Sequence, residues 1–525
     1  MKTKLQLFCI CILLTFTGLY AGDHEIQWGT MDKAGGTTNS YMPLGWIGGN
    51  YYAVQIDGKD GLLMNINGKM DIAAQTELIT GEKKFDADVA YLRNGEINLL
   101  MSEYESGEKT NYVRAVTFNL AGKPTKTKLK KIAAVKVEKN TEKSDFQYKF
   151  SGDSSKILIV HEHDMKGDDE AKITLTVVNT ENYEELWKTS ASFPYEDKNF
   201  TLLSAAVEND GDVAMLALIK GEEGSKLEKY STSIFSFIGT SGKFDEKNIK
   251  MEGKFISSAR VKFVNSKRVL ITGFYNDLTG KGKSEGIEGA FMAVADPANL
   301  EDFDMHIKVM DASTKAAISP SGAFAKFFNA DELNAYTIQE MNEEKDGSGY
   351  VIAEQRRIIQ DEEQSSVSRT YYFNHLIIFR YNSVQEIDWI STIPKMQSTT
   401  ISTPKLGIGP LSVWYFPGYL TRAAYKYNSF VSTAKDGDIY ILYNDHKDNG
   451  DARSLKDVKM MVNKNKALAT LVTVGGGGDW EKEALFRGKD LDVILETSSC
   501  LPIVGTSFTI SAERGKNLQY GKLNL

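Results

Sequence analysis

The chain has 525 residues, 62 of them Lys or Arg and 70 Asp or Glu, for a formal charge of -8 at neutral pH. That acidity suits a soluble surface and disfavours a general nucleic-acid binder. Past the N-terminus no apolar run is long enough to span a bilayer, so no transmembrane segment is expected in the mature chain.

Met1 to Ala21 reads MKTKLQLFCICILLTFTGLYA: Lys2 and Lys4 precede an apolar run from Leu5 to Leu19, and Ala21 supplies a small residue at the end. This is the pattern of a secretory signal peptide, which places the mature protein, residues 22–525, in the periplasm, at the cell surface or outside the cell. Its removal takes away Lys2 and Lys4 and no acid, moving the formal charge from -8 to -10. Cys9 and Cys11 leave with it. Cys500 then has no intramolecular disulfide partner, so the exported fold must rest on an extensive apolar core, and a buried thiol is expected.

No Pro- or Ser-rich linker divides the remaining chain, and a single domain over 22–525 is expected. Period-2 alternation runs through it in short pieces broken by Gly, Asn and Asp, among them YYAVQI (Tyr51 to Ile56), GLLMNI (Gly61 to Ile66), INLLMSEY (Ile97 to Tyr104), YVRAVTFNL (Tyr112 to Leu120) and FQYKF (Phe146 to Phe150). Long amphipathic helices are missing; the best candidate, near Ser321 to Phe328, is short. The clearest unit is DGDIYILYNDHKDNGDARSLKDVKMMVNK (Asp436 to Lys464), an Asp-Gly turn, a strand, a polar turn and a second strand. Similar units begin at Ser151, Asn209, Val264 and Asp346. The strongest strands start near Tyr51, Ile97, Ile157, Val213, Val269, Tyr350 and Ile439, at the spacing of propeller blades with generous loops. The sequence therefore predicts an all-β propeller of about seven blades, with six or eight also compatible. Ile503 to Glu513 is expected to join the N-terminal segment near Ile26 and close the ring, which would remove the exposed edges. Packed sandwiches and an open solenoid are the competing architectures.

His161-Glu162-His163-Asp164 is the densest set of metal-capable side chains. At a strand end His161 and His163 share a face and could hold zinc or iron if a third ligand came from elsewhere; the plainer reading is a polar strand end entering a charged turn. Asp445 to Asp451, DHKDNGD, places Gly450 where a calcium loop turns sharply, but Lys447 and Lys456 fall where acidic ligands belong, so it reads as a hairpin turn. Acidic turns at Asp57 to Gly61 and Asp164 to Glu170 leave room for loosely bound calcium, the one cofactor expectation. Gly475 to Gly478 read as a turn, because a phosphate nest wants a helix behind it. Gly407 to Pro410 and Gly239 to Lys243 lack the spacing of nucleotide loops. No G-x-S-x-G elbow, H-E-x-x-H helix or Cys/His cluster is present, and with 70 acids no glycosidase pair can be chosen. No catalytic or metal residue is assigned, and the binding residues are left open.

Two aromatic sets stand out: Tyr371, Tyr372, Phe373, Phe379, Tyr381 and Trp389, then Trp414, Tyr415, Phe416, Tyr419, Tyr425, Tyr427 and Phe430. Core filling between blades is the first reading, although consecutive aromatics on a strand cannot all face inward and could line a sugar or peptide surface. The units Tyr371 to Gln397 and Gly437 to Asn449 resemble those of secreted β-propeller-like proteins common in Bacteroidota, in which a strand ending in Tyr-Asn-Asp alternates with one ending in a Trp-x-x-x-Ile-Pro-Lys turn. The resemblance covers Ile97 to Lys464, implies export and a β-rich repeat, and carries no active residues with it; Asp296 to Ala335 departs from the repeat. The expected function is non-catalytic binding of an envelope or outer-membrane protein, or of a glycan, at the end where loops converge. A polysaccharide hydrolase or lyase on the same fold and a structural part of an envelope complex are the alternatives.

Overall fold

The computed structural model describes residues 24–33, 40–56, 61–79, 87–125, 129–137, 146–165, 167–221, 226–239, 243–264, 267–278, 286–318, 336–362, 366–404 and 424–525. The signal segment, the helix candidate near Ser321, Gly407 to Pro410 and Trp414 to Tyr419 lie outside them.

Eight separate antiparallel sheets follow one another along the chain, each resembling a propeller blade. Sheet 1 runs Ser40–Ile47, Asn50–Ile56, Gly61–Ile66, Ile72–Leu78; sheet 2 Val89–Arg93, Glu96–Glu105, Thr110–Asn119, Lys130–Lys136; sheet 3 Gln147–Phe150, Lys156–Glu162, Glu170–Asn179, Glu185–Glu196. Sheet 4 is Phe200–Val207, Val213–Lys220, Tyr230–Phe237, Asp245–Ile249, and sheet 5 Lys254–Phe263, Val269–Asp277, Gly289–Asp296, Asn299–Val309. Sheet 6, Tyr336–Glu343, Gly349–Glu362, Ser366–Tyr381 and Ile387–Ile393, carries Gln397–Pro404 as a fifth strand; sheet 7 is Val431–Lys435, Asp438–His446, Ala467–Val474, Trp480–Arg487. Sheet 8 joins both chain ends: Ile494–Leu495 and Leu501–Ile503 pair with Ser507–Arg514, which pairs with Asn517–Asn524, which in turn takes Ile26–Trp28 and Asp32–Lys33.

The expected seven blades closed by terminal strands are therefore corrected. Among the described residues there are eight sheets, none is closed into a barrel, and no strand pairing joins one to the next. The seven positions from which the repeat was counted all fall in the second strands of sheets 1 to 7. The eighth was missed because two of its strands are only two and three residues long and another comes from the opposite end of the chain, so no local repeat announces it. Nor does Ile503 to Glu513 meet the N-terminal segment; Ile26 is opposite Leu523 and Trp28 opposite Gly521, one strand further out. Among the described residues the wide intervals hold no extra sheet. They contain the helix Ala312–Ile318, the long hairpin of sheet 6 and Gln397–Pro404, and the first part of Asp296 to Ala335 is the regular outer strand of sheet 5.

Turn chemistry sets the short connections. Gly48-Gly49, Asn94-Gly95 and Asp436-Gly437 each place two consecutive residues at positive φ between paired strands, the backbone a two-residue hairpin needs to match strand twist. Between third and fourth strands the device is an Asn side chain: Asn67, Asn119 and Asn382 Oδ1 each accept N–H bonds from residues two and four further on, at 2.9–3.1 Å.

Apolar side chains fill the space between consecutive sheets. Leu158, Phe193 and Phe235 pack between sheets 3 and 4; Leu471, Phe486 and Phe508 between 7 and 8; Tyr51, Met64, Leu518 and Tyr520 between 8 and 1. Burying each such side chain contributes about 1.5–3 kcal/mol. Cys500 is buried, its Sγ donating to Glu496 O, with burial pushing the thiol pKa up to about 12. The first strands of sheets 1 and 2, and of sheets 3 to 6 in succession, touch, which places them on the inner side. By antiparallel order, the short first-to-second and third-to-fourth turns share one end. The second-to-third turns, such as 447–466, and the connections between sheets share the other.

Candidate functional site

Two clefts open at the connection end. The first, of about 640 Å³, lies between sheets 4 and 5, where the third and fourth strands of sheet 4 meet the first strand of sheet 5. Its walls include Tyr230, Ser231, Thr232, Asn248, Glu252 and Phe255. The Tyr230 and Phe255 rings stand edge to face with centroids 6.1 Å apart. Thr232 is 2 % exposed, and its Oγ1 has no hydrogen-bond partner among the described residues. A buried hydroxyl left this way costs about 1–3 kcal/mol unless something entering the cleft satisfies it.

The second cleft, about 700 Å³, separates sheets 2 and 3. Glu108, Thr110, Tyr112 and Lys136 come from sheet 2 and its turn, and His163, Lys172, Thr174, Lys188 and Ser190 from sheet 3. The Tyr112 hydroxyl donates to the Glu108 carboxylate, and Lys131 Nζ sits 3.7 Å from the Tyr112 ring centroid. His163 Nε2 and Thr174 Oγ1 are 2.9 Å apart, and Thr174 Oγ1 is 2.7 Å from Ser190 Oγ. The paired histidines of the sequence therefore meet here. His161 is fully buried behind His163 with ring centroids 5.0 Å apart, and its Nε2 is 3.0 Å from Asn111 Nδ2. Burial first, and His163 second, push the His161 pKa down to about 4, so it is neutral at pH 7. No group of three His, Cys, Asp or Glu side chains placed to hold a metal ion occurs among the described residues.

Two buried ionic centres lie near the same end, in sheets 6 to 8. Lys395 and Glu354 are both fully buried; Lys395 Nζ donates to Glu354 Oε1 at 2.7 Å, Gln397 Oε1 at 2.9 Å and Phe373 O at 3.1 Å. Glu354 Oε2 accepts from Arg356 Nε at 2.7 Å and Ser429 Oγ at 2.8 Å. Burial raises the Glu354 pKa, but Lys395 and Arg356 more than offset it and hold the carboxyl below its usual range. In the second centre Lys426 Nζ is 3.0 Å from Glu513 Oε1 and 3.3 Å from Glu496 Oε1, beside the rings of Tyr41 and Tyr427. Sequence reasoning missed both centres. The one signal available was an acid or lysine inside an otherwise apolar strand or turn, as in YVIAEQ and TIPKMQ.

The other sequence candidates resolve into architecture. Asp445 is buried against Lys482 Nζ at 3.1 Å and accepts from Asn449 Nδ2 at 2.6 Å, while Asp448 pairs with Lys447 and Lys459 at 2.9 Å each. Asp168, in the second acidic turn, pairs with Lys198; Asp57 to Lys59 and Asp60 lie outside the described residues. Gly475 to Gly478 form a closed turn that receives Trp389, whose Nε1 donates to Gly476 O at 2.7 Å. Gly239 N bonds Asp212 Oδ1, and 240–242 lie outside the described residues. Tyr371, Phe373, Phe379 and Tyr381 are buried, and Phe373 and Tyr425 flank the Arg356 guanidinium.

No protein-family model matches the chain, and no curated protein matches it. Among solved structures it is similar to the β-propeller domain of the Trilobed protease from Pyrococcus furiosus, at 11 % identity and a TM-score of 0.34 over 89 % of this chain and 97 % of that one. Polysaccharide lyase Uly1 is similar at 9 % identity and a TM-score of 0.32, over 95 % of this chain and 100 % of that one. Dipeptidyl peptidase 4 of Porphyromonas gingivalis is similar at 8 % identity and a TM-score of 0.37 over 91 % of this chain; this chain spans 65 % of its length. These similar structures are of diverse origin and not specifically from Bacteroidota. No helix of the described residues is long and apolar enough to cross a membrane.

Proposed function

We propose that this chain is an exported, non-catalytic glycan-binding protein of the cell envelope and that the cleft between sheets 4 and 5 is its sugar site. The observation that carries this reading is the buried Thr232 hydroxyl, without a partner among the described residues, in the wall of a cleft that also presents Tyr230, Phe255, Ser231 and Asn248. A pyranose has an apolar C–H face that packs on an aromatic ring and a rim of hydroxyls that needs hydrogen-bonding partners, and this wall offers both. Export is supported by the Met1 to Ala21 pattern.

The test is binding of residues 22–525 to an array of envelope polysaccharides, followed by titration calorimetry on what is retained. A glycan should bind, and Tyr230→Ala should weaken it about tenfold, near 1.4 kcal/mol, with thermal unfolding unchanged. Retention of a stoichiometric envelope protein and no glycan would replace the sugar with a protein partner. New reducing ends or unsaturated products during incubation would overturn the non-catalytic assignment in favour of a hydrolase or lyase.

A further inference from the structure

We infer that the cleft between sheets 2 and 3 is a second binding site, one that takes an anionic substituent, a carboxylate or sulfate, of an acidic saccharide. The saccharide part rests on the glycan reading above; the anion part stands on the cleft itself. Lys136, Lys172 and Lys188 reach it from three different strands, Lys130–Lys136, Glu170–Asn179 and Glu185–Glu196. None of the three pairs with an acid among the described residues, although acids outnumber bases in the chain, 70 to 62. Other lysines near strand ends do meet an acid: Lys198 pairs with Asp168, Lys247 with Glu301, Lys254 with Asp277 and Lys267 with Asp210.

The one carboxylate in the cleft, Glu108, is engaged by the Tyr112 hydroxyl. Lys188 Nζ donates to Ala134 O at 2.5 Å, which holds that ammonium across the cleft from its own sheet and leaves its other two N–H groups for a ligand. Thr174 and Ser190 line the wall beside it, their hydroxyls joined at 2.7 Å and backed by His163. Three lysines against the single Glu108 carboxylate leave net positive charge in the cleft, and an entering anion relieves the lysines' mutual repulsion while accepting their hydrogen bonds. A volume of about 700 Å³ admits one or two sugar rings with their substituents.

The experiment titrates residues 22–525 with three oligosaccharides of one backbone, a uronate form, its carboxyl-reduced neutral form and a sulfated neutral form, at low salt and in about 0.5 M NaCl. A Lys136→Gln/Lys172→Gln/Lys188→Gln variant and a Tyr230→Ala variant are compared with the unaltered chain, with thermal unfolding confirming that each is folded. The uronate or the sulfated form should bind at least tenfold tighter than the neutral one, lose that advantage in the triple variant and in salt, and keep it in Tyr230→Ala; whichever form binds names the anion. Equal affinity for charged and neutral forms, or an unaltered charge preference in the triple variant, would overturn the inference. If no oligosaccharide binds but glucuronate or inorganic sulfate alone does, and the triple variant abolishes it, the anion site stands and the glycan reading fails.

Discussion

Glu496 is fully buried, 3.3 Å from Lys426 Nζ, with Glu513 on that same lysine and Ser511 Oγ donating to Oε2 at 3.2 Å. One ammonium between two buried carboxylates leaves negative charge in excess. Burial foremost, with Glu513 adding to it against the pull of Lys426, raises the Glu496 pKa from 4.5 to about 7. A carboxyl that holds its proton more tightly when folded contributes stability that is fully present below pH 4.5 and is lost as pH rises through about 7. His161 and His375 act in the opposite sense: with folded values of about 4 and about 3, they contribute stability present above pH 6.5 that is lost as pH falls through those values. The two trends oppose each other between pH 5 and 7 in the unaltered chain. Glu496→Gln removes only the falling one, so its stability relative to the unaltered chain should improve from pH 5 to pH 8 by up to about 3 kcal/mol, read from urea midpoints. A difference independent of pH would mean that Glu496 is ionised throughout. None of this is visible in the letters around Glu496, because the partners that shift it come from residues 426 and 513.

At the level of the element, neighbouring sheets are tied by side chains that donate to the next sheet's turns. Trp187 Nε1 of sheet 3 donates to Gly211 O at the first turn of sheet 4, and Trp389 Nε1 of sheet 6 to Gly476 O in the last turn of sheet 7. Arg93 reaches Ser154 O from sheet 2 to sheet 3, and Arg380 reaches Gly437 O at 2.8 Å from sheet 6 to sheet 7. Gly478 shows what such a tie demands: its φ is +91°, and a Cβ there would lie 2.9 Å from Trp389 Cδ2. Gly478→Ala should therefore cost about 1–3 kcal/mol through strain and displacement of the indole. Trp389→Ala should also destabilise, and the double variant should fall short of the sum by at least about 0.5 kcal/mol in a denaturation cycle. Strict additivity would show that the ring and the turn act independently. The turn itself was legible from four glycines after an apolar strand, whereas its occupant, a tryptophan nearly ninety residues earlier, was not.

Across the whole molecule, the contacts run from sheet to sheet and return from the eighth to the first through Tyr51, Met64, Leu518 and Tyr520. Ile26–Trp28 cover the outer edge of Asn517–Asn524, and Trp28 packs edge to face on Phe486 of sheet 7 at 5.2 Å. A chain beginning at residue 34 should expose that edge, lower the unfolding temperature by about 2–5 °C and self-associate, as seen by calorimetry and size-exclusion chromatography. An unchanged, monomeric profile would show that the N-terminal strand contributes nothing to the eighth sheet. Strand identity, the Asp-Gly and Asn turns and the buried thiol could all be read from the sequence, since alternation, positive φ and a cysteine with no other beyond residue 21 are local or compositional properties. The eighth sheet, the Glu354–Lys395 and Lys426–Glu496–Glu513 centres and the lysine cleft were decided only by tertiary structure. Each is assembled from segments tens to hundreds of residues apart, and a period-2 pattern specifies which face of a strand is apolar without specifying which strand will lie against it.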